Sequence, residues 1–289
     1  MNKFELSIRT TLLLAALGAI FLGVGWLLGG SGGMFMALIL SLVMNVGAYW
    51  FSDKMVLAIH GAKELPVDHA VSQMVRELCA RSQTPMPKVY RIQDKAPNAF
   101  ATGRDPKHAA VAVTEGLLRV LEPHEVRAVL AHELGHVRNR DILISTIVAC
   151  FASAIMYLAH MAQWAGMFGG RQNEGRSIHP VALIAVVVLA TLATMIVQFA
   201  VSRAREYGAD EEGARLSGDP EALATALEKI SNPTLLKRFQ TEEAMPDMQP
   251  AFSHLYIVNH FSSGSMLSIF STHPPVRERV ERLRRMVSR

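Results

Sequence analysis

The sequence predicts a mainly α-helical membrane protein, in which four transmembrane helices carry a polar α+β domain on one side of the bilayer. Three observations predict it. Half of the 289 residues are apolar, and they are bunched into long runs instead of alternating with polar ones. Basic residues gather at one set of run ends. The polar stretches between the runs show helix and strand periodicity around one short histidine motif.

From Thr10 to Ser52 there is no Asp, Glu, Lys, Arg or His, and Ile142–Ala159 and Pro180–Ser202 are also uncharged. A helix needs about 20 apolar residues to cross a bilayer. The first run is long enough for two crossings, roughly 10–29 and 34–52, joined at Gly29-Gly30-Ser31-Gly32-Gly33; the others give roughly 142–162 and 180–202. A buried core helix accounts for one such run better than for four. Lys3 and Arg9 ahead of the first run resemble a secretion signal, but no small-residue cleavage site separates it from a polar sequence, so a retained helical hairpin is expected.

Lys3, Arg9, Lys54, Lys63, Arg138, Arg140, Arg203 and Arg205 would lie on one side, against Arg171 and Arg176 on the other. By the positive-inside rule both termini and both large polar segments face the cytoplasm. A pI near 9.2 then follows from topology and anionic lipid contact, without nucleic-acid binding. The two cysteines, Cys79 and Cys150, with the second inside an apolar run, supply neither a disulfide framework nor a cysteine metal cluster. The expected organisation is an N-terminal transmembrane hairpin over 1–52, a cytoplasmic segment over 53–140, a second hairpin over 141–202 and a second cytoplasmic segment over 203–289.

In the first polar segment, Asp68–Arg81 has helical spacing, with Val71, Met74, Val75 and Leu78 on one face. Lys88–Ile92, Ala99–Thr102 and Ala109–Val113 have strand character. Thr114 is placed to cap a short helix through Leu121, and Pro123 to open the next, through Arg138. In the second, Arg203–Leu216 is expected to be a helix ending at Gly218, followed by Pro220–Ile230, an aperiodic loop over 232–250, and a basic amphipathic helix over Pro275–Met286.

The helix opened by Pro123 carries His132-Glu133-Leu134-Gly135-His136. Residues four apart share a helix face, so both imidazoles can bind one Zn²⁺, and Glu133 can reach a metal-activated water as general base without ligating the metal. The apolar companions Val126, Val129, Leu130, Leu134 and Val137 bury one side of this helix. The polar domain is therefore expected to be a zincin-like α+β metalloprotease domain at the cytoplasmic face. A catalytic zinc commonly takes three protein ligands. The last two spans form a hairpin that returns the chain to the surface it left just after His136, where Arg203-Ala204-Arg205-Glu206-Tyr207-Gly208-Ala209-Asp210 follows. This ranks Glu206 first as third ligand, with Asp210 on the same helical face to hold a ligating histidine. Ion pairing of both carboxylates with Arg203 and Arg205 is the competing role.

HELGH, a long insertion with two spans, and then EYGAD resemble the HtpX family of bacterial membrane zinc proteases, related to the CaaX prenyl proteases. The resemblance covers nearly the whole chain, including the N-terminal hairpin, NAFATG at Asn98–Gly103 and THPP at Thr272–Pro275. It places the family's E-x-x-x-D motif on Glu206 and Asp210, and implies one zinc per chain and quality-control cleavage of misfolded membrane proteins in the cytoplasmic membrane, alongside other quality-control proteases. It also sets THPP beside the metal, making His273 a candidate oxyanion donor, with a turn opening the last helix as its competing role. It favours Asn98, Ala99, Phe100 and Ala101 as an edge strand that pairs with extended substrate. The other function classes are a catalytically silent zinc-containing scaffold, which leaves Glu133 unexplained, and a transporter with a structural metal, which the near absence of ionisable residues in the spans disfavours.

Overall fold

The computed structural model describes residues 3–168, 180–232 and 274–287. His273, Arg171, Arg176 and nearly all of the expected 232–250 loop lie outside them. The chain divides into two compact units: Met1–Leu6, Tyr49–Leu143 and Ser202–Arg289 form one, Ser7–Ala48 and Ile144–Val201 the other.

The described part of the second unit is predominantly apolar. Helix α1 (Lys3–Ile59) is broken at Gly30, with φ 58° and ψ −165°, a conformation essentially restricted to glycine. The expected glycine connection thus contracts to one residue. The apolar parts of α1, of α5 (Asp141–Phe168) and of α6 (Pro180–Ser217) share a core that includes Leu17, Phe21, Ala37, Val148, Ile155, Leu158, Ala190 and Val197. Leu22, Trp26, Phe35, Val43, Leu189 and Ile196 each leave more than half of their surface uncovered. Among the described residues one stretch, Val188–Ser217, is long and apolar enough to cross a membrane, beside shorter apolar stretches at Thr11–Val24 and Gly30–Ile39. The other expected crossings rest on the sequence. The separate helix expected over 203–216 is instead the C-terminal part of α6, ending where Gly218, at φ 79°, returns its N–H to the carbonyl of Ala214.

The polar unit is an α+β layer structure. A four-stranded sheet has the order β1 (Lys63–Glu64), β2 (Lys88–Ile92), β4 (Ala110–Thr114), β3 (Ala99–Thr102). β2 and β4 are parallel, and β3 runs antiparallel to β4 at the edge. β4 is buried along its whole length, which is why its first four residues, Ala110–Val113, are continuously apolar instead of alternating. One face, bearing Val89, Ala99, Val111 and Val113, joins a core with α2 (Ala70–Ser82), α4 (Pro123–Arg138) and α7 (Pro220–Ile230). The other face, with Ile92, Phe100 and Ala112, packs against Val56 at the end of α1.

Local chemistry sets the helix starts. Thr114 accepts the N–H of Leu117 to cap α3 (Glu115–Val120), and also accepts the N–H of Asn98, tying β3 to the start of that helix. Pro123 opens α4, and Glu125 reaches back to the N–H of Glu122 at 2.8 Å, closing a capping box. Asp219 caps α7. The last helix, α8 (Val276–Val287), packs Val280 and Leu283 into the same core.

α4 and α6 cross at near backbone contact. A Cβ on Gly213 would stand 2.8 Å from the Cα and N of His132, and one on Gly135 3.2 Å from the carbonyl oxygen of Ala209. Overpacking of this kind typically costs about 1–3 kcal/mol. Gly213→Ala is expected to lower the thermal unfolding midpoint accordingly. Gly23→Ala, where a Cβ meets nothing within 4 Å, should leave the midpoint near wild type.

Candidate metal centre

The α4–α6 crossing places the functional side chains. One helical turn apart on α4, the His132 and His136 rings meet edge to face with Nε2 atoms 3.2 Å apart. From α6, Glu206 brings Oε2 to 3.7 Å from His132 Nε2 and Oε1 to 3.6 Å from His136 Nε2. Two ligands at about 2.0–2.1 Å from a tetrahedral zinc stand roughly 3.3 Å apart, so this triangle has the size of a single ion's inner shell. Two imidazole nitrogens and one carboxylate are also the donor set such an ion prefers. The residues present therefore fit the metal: His132, His136 and Glu206 would hold it. His132 is 1% and Glu206 6% exposed.

Both rings are held from behind. His132 Nδ1 lies 3.0 Å from Asp210 Oδ1, and His136 Nδ1 lies 2.6 Å from Asp141 Oδ2. Arg279, fully buried on α8, donates through Nε and Nη2 to Asp210 at 2.8 and 2.7 Å and brings Nη1 to 3.2 Å from Glu206. Burial alone would push the Asp210 carboxyl up; the Arg279 guanidinium and His132 outweigh it and hold Asp210 below the usual carboxylate range. Burial opposes a charged His136, but Asp141, Glu206 and Glu133 together carry its pKa up to about 9.

Glu133 turns away from the ligand atoms to β3, where its Oε2 accepts the N–H of Ala101 at 2.9 Å. Burial raises its carboxyl, against the pull of His132 and His136 and with Glu206 adding to the rise. A carboxylate moved upward in this way is better matched to taking and returning a proton near neutrality. Since the Ala101 N–H leaves the sheet for Glu133, the strand's period of two puts the backbone of Ala99 on the same open edge. Asn98 is bound instead to Thr114, through N–H to Oγ1 and through its carbonyl to the Thr114 N–H. The Phe100 side chain lies on the opposite face of the sheet, among Val56, Ile92 and Ala112.

His132, Glu133, His136, Glu206 and Asp210 are thus brought to one point, with Ala101 at its rim. His273 falls outside the described residues. Arg279 was not anticipated by the sequence reading. Its signal was a charge on the apolar stripe of the last helix, between Val276 and Leu283 and beside Val280. The Ala101 amide left no signal, because a backbone donor has no side chain to betray it.

Burying two imidazoles and several carboxylates against one another is unfavourable unless something binds between them. A helix that does so with HExxH spacing, and with a glutamate supplied from a distant helix, marks the metallopeptidases. Comparison with known proteins agrees. The description "Peptidase family M48" matches residues 67–287, and the chain belongs to that family. A "Protease HtpX homolog" of Syntrophobacter fumaroxidans is 51% identical over 283 residues, covering 96% of this chain and 98% of that one. Another of the same description, from Burkholderia multivorans, is 50% identical over 281 residues and covers 96% of each. Among solved structures, the crystal structure of S. mikatae Ste24p superposes with a TM-score of 0.57 at 19% identity, over 97% of this chain and 66% of that chain, just under two thirds. At that identity the likeness speaks for the fold alone. The chain is a metalloprotease of this family, and the family implies a metal.

Two outcomes are expected from this geometry. Removing one partner of a buried ion pair costs about 3–5 kcal/mol, so Arg279→Ala should destabilise the metal-free protein on that scale in denaturant unfolding, with Arg279→Lys losing less. A metal entering the triangle must displace the proton that His136 holds below about 9. Apparent zinc affinity should therefore rise with pH up to about 9 and level off above, with proton release visible by calorimetry in buffers of different ionisation enthalpy. Affinity that is flat from neutral pH upward would contradict the assignment.

Proposed function

We propose that this chain is an integral membrane zinc endopeptidase that hydrolyses peptide bonds of misfolded or damaged membrane proteins. The observation that carries the reading is the zinc-sized triangle of His132, His136 and Glu206 with Glu133 held beside it. Zinc bound there would polarise the scissile carbonyl and acidify the attacking water. Glu133 takes the water's proton and returns it to the departing amine, while the Ala101 N–H keeps its carboxylate oriented. Asp210 fixes the tautomer of His132 so that Nε2 faces Glu206. Extended substrate adds to the open edge of β3 at Ala99 and Ala101, within a strand that Asn98 leads into and Phe100 anchors. His273 supplies the donor for the developing oxyanion.

The chain spans the cytoplasmic membrane four times, with hairpins at 1–52 and 141–202 and with the cytoplasmic peptidase built from 53–140 and 203–289. Support comes from a unit whose large apolar side chains are uncovered on the outside as well as packed within, as a lipid-facing bundle requires. The basic residues at one set of span ends support a cytoplasmic side for both termini and the site. The naming of the relatives as HtpX protease homologs supports proteolysis as the activity, and quality control of membrane proteins is the role that the resemblance to the HtpX family implies.

The test is cleavage of an unfolded membrane-protein substrate by purified wild type and Glu133→Gln, with zinc content determined for each. Zinc in both proteins, with cleavage reduced about 10²–10⁴-fold or more in the variant, is the expected result. Full cleavage by the zinc-loaded variant would remove Glu133 as the base. Zinc in both with no cleavage by either would favour the silent scaffold.

A further inference from the structure

We propose that Asp141 is a positioning residue for the second metal-facing imidazole, His136, and that with Arg205 it forms a counterpart of the Asp210–Arg279 pair behind His132. The proposal rests on the zinc peptidase reading above and adds residues outside both HELGH and EYGAD.

Three observations converge. The Asp141 side chain is 6% exposed and brings Oδ2 to 2.6 Å from His136 Nδ1. Its other oxygen lies 3.8 Å from Nε of Arg205 on α6, whose side chain is 13% exposed. The chain reaches this position by an uncommon route: Arg140 takes φ 55°, a left-handed conformation that a long side chain rarely adopts. Just before it, the Asn139 N–H bonds the carbonyl of Gly135 and the Arg140 N–H that of Val137, closing the last turn of α4. The left-handed residue then redirects the chain, and the first residue of α5 brings its carboxylate to His136. Backbone strain of this kind tends to be kept where a site needs it.

The chemical consequence lies in the two nitrogens of the ring. A carboxylate at Nδ1 holds the N–H there and fixes the ring plane, which leaves the Nε2 lone pair aimed at Glu206 and His132. Arg205 gives the other Asp141 oxygen a cationic neighbour. Each metal-facing histidine is then backed by its own carboxylate and each carboxylate by its own arginine, one set from α6 and α8, the other from the α4–α5 junction and α6. The competing role for Asp141 is simply to stabilise the first turn of α5, where an acidic side chain is favourable.

Substitutions separate the two roles. Asn and Ser both lose that charge and so serve the first turn of α5 alike, but only Asn keeps an acceptor at the reach of the Asp141 carboxylate. We would measure the zinc dissociation constant of the full-length, detergent-solubilised chain by chelator competition for wild type, D141N, D141S and D141A. The visible absorption of the cobalt-substituted forms and the unfolding midpoint of the metal-free forms would accompany it. The proposal expects zinc binding about 10–100-fold weaker in D141S and D141A, with D141N between them and wild type and altered cobalt bands in step. Should D141A fail to fold, the order wild type, Asn, Ser decides. Zinc affinity and cobalt bands of D141S equal to those of wild type, or of D141S equal to D141N, would overturn the positioning role. A wild type that takes up no zinc would instead overturn the peptidase reading, and this proposal with it.

Discussion

The polar chemistry of this protein depends on how closely two helix backbones approach. Gly213 of α6 lies over His132 of α4, and Gly135 of α4 over Ala209 of α6, with no room for a Cβ on Gly213. Glu206 and Asp210 sit two turns and one turn before Gly213 on the same helix. Their distance from the imidazoles is therefore set by that crossing and not by loop conformation. Rigid elements hold such a site more tightly than loops can, and here every metal-facing group stands on a helix.

The second constraint is electrical. His132, Glu133, Glu206 and Asp210 are all nearly inaccessible, and leaving such groups unpaired costs several kcal/mol each. Arg279 offsets much of that from α8, and the Ala101 N–H offsets part of it from β3. The sheet, the last helix and the α4–α6 pair are thus coupled through one cluster of charge. Because Phe100 packs on the far side of the same strand against Val56, the position of β3 is also tied to the end of α1.

Much of this was legible in the sequence because it is local. Thr114 and Pro123 gave helix starts, Lys88–Ile92 and Ala99–Thr102 gave strands, and HELGH gave two histidines on one helix face from spacing alone. Glu206 was reached by one step of three-dimensional reasoning, the return of a hairpin to its own side. Arg279 was not reached, although a charge among Val276, Val280 and Leu283 stood out of pattern, because its partner Asp210 belongs to another helix and no periodicity links the two. Asp141 was hidden by a backbone event: its approach to His136 follows a left-handed residue at Arg140 that no periodicity announces. The extent of α6 was underestimated for the opposite reason, since a change from apolar to charged composition at Arg203 looks like a boundary while the hydrogen-bond ladder runs straight through it.

The order in which the cluster's members lie along the chain also bears on biogenesis. On the ribosome, HELGH emerges first, its carboxylate partners from α6 only after a long apolar stretch, and Arg279 later still. Until α8 has been made and has docked, Asp210 and Glu206 lack the Arg279 guanidinium. Docking of α8 therefore completes, from far along the chain, the charge balance of a site whose motif is made much earlier.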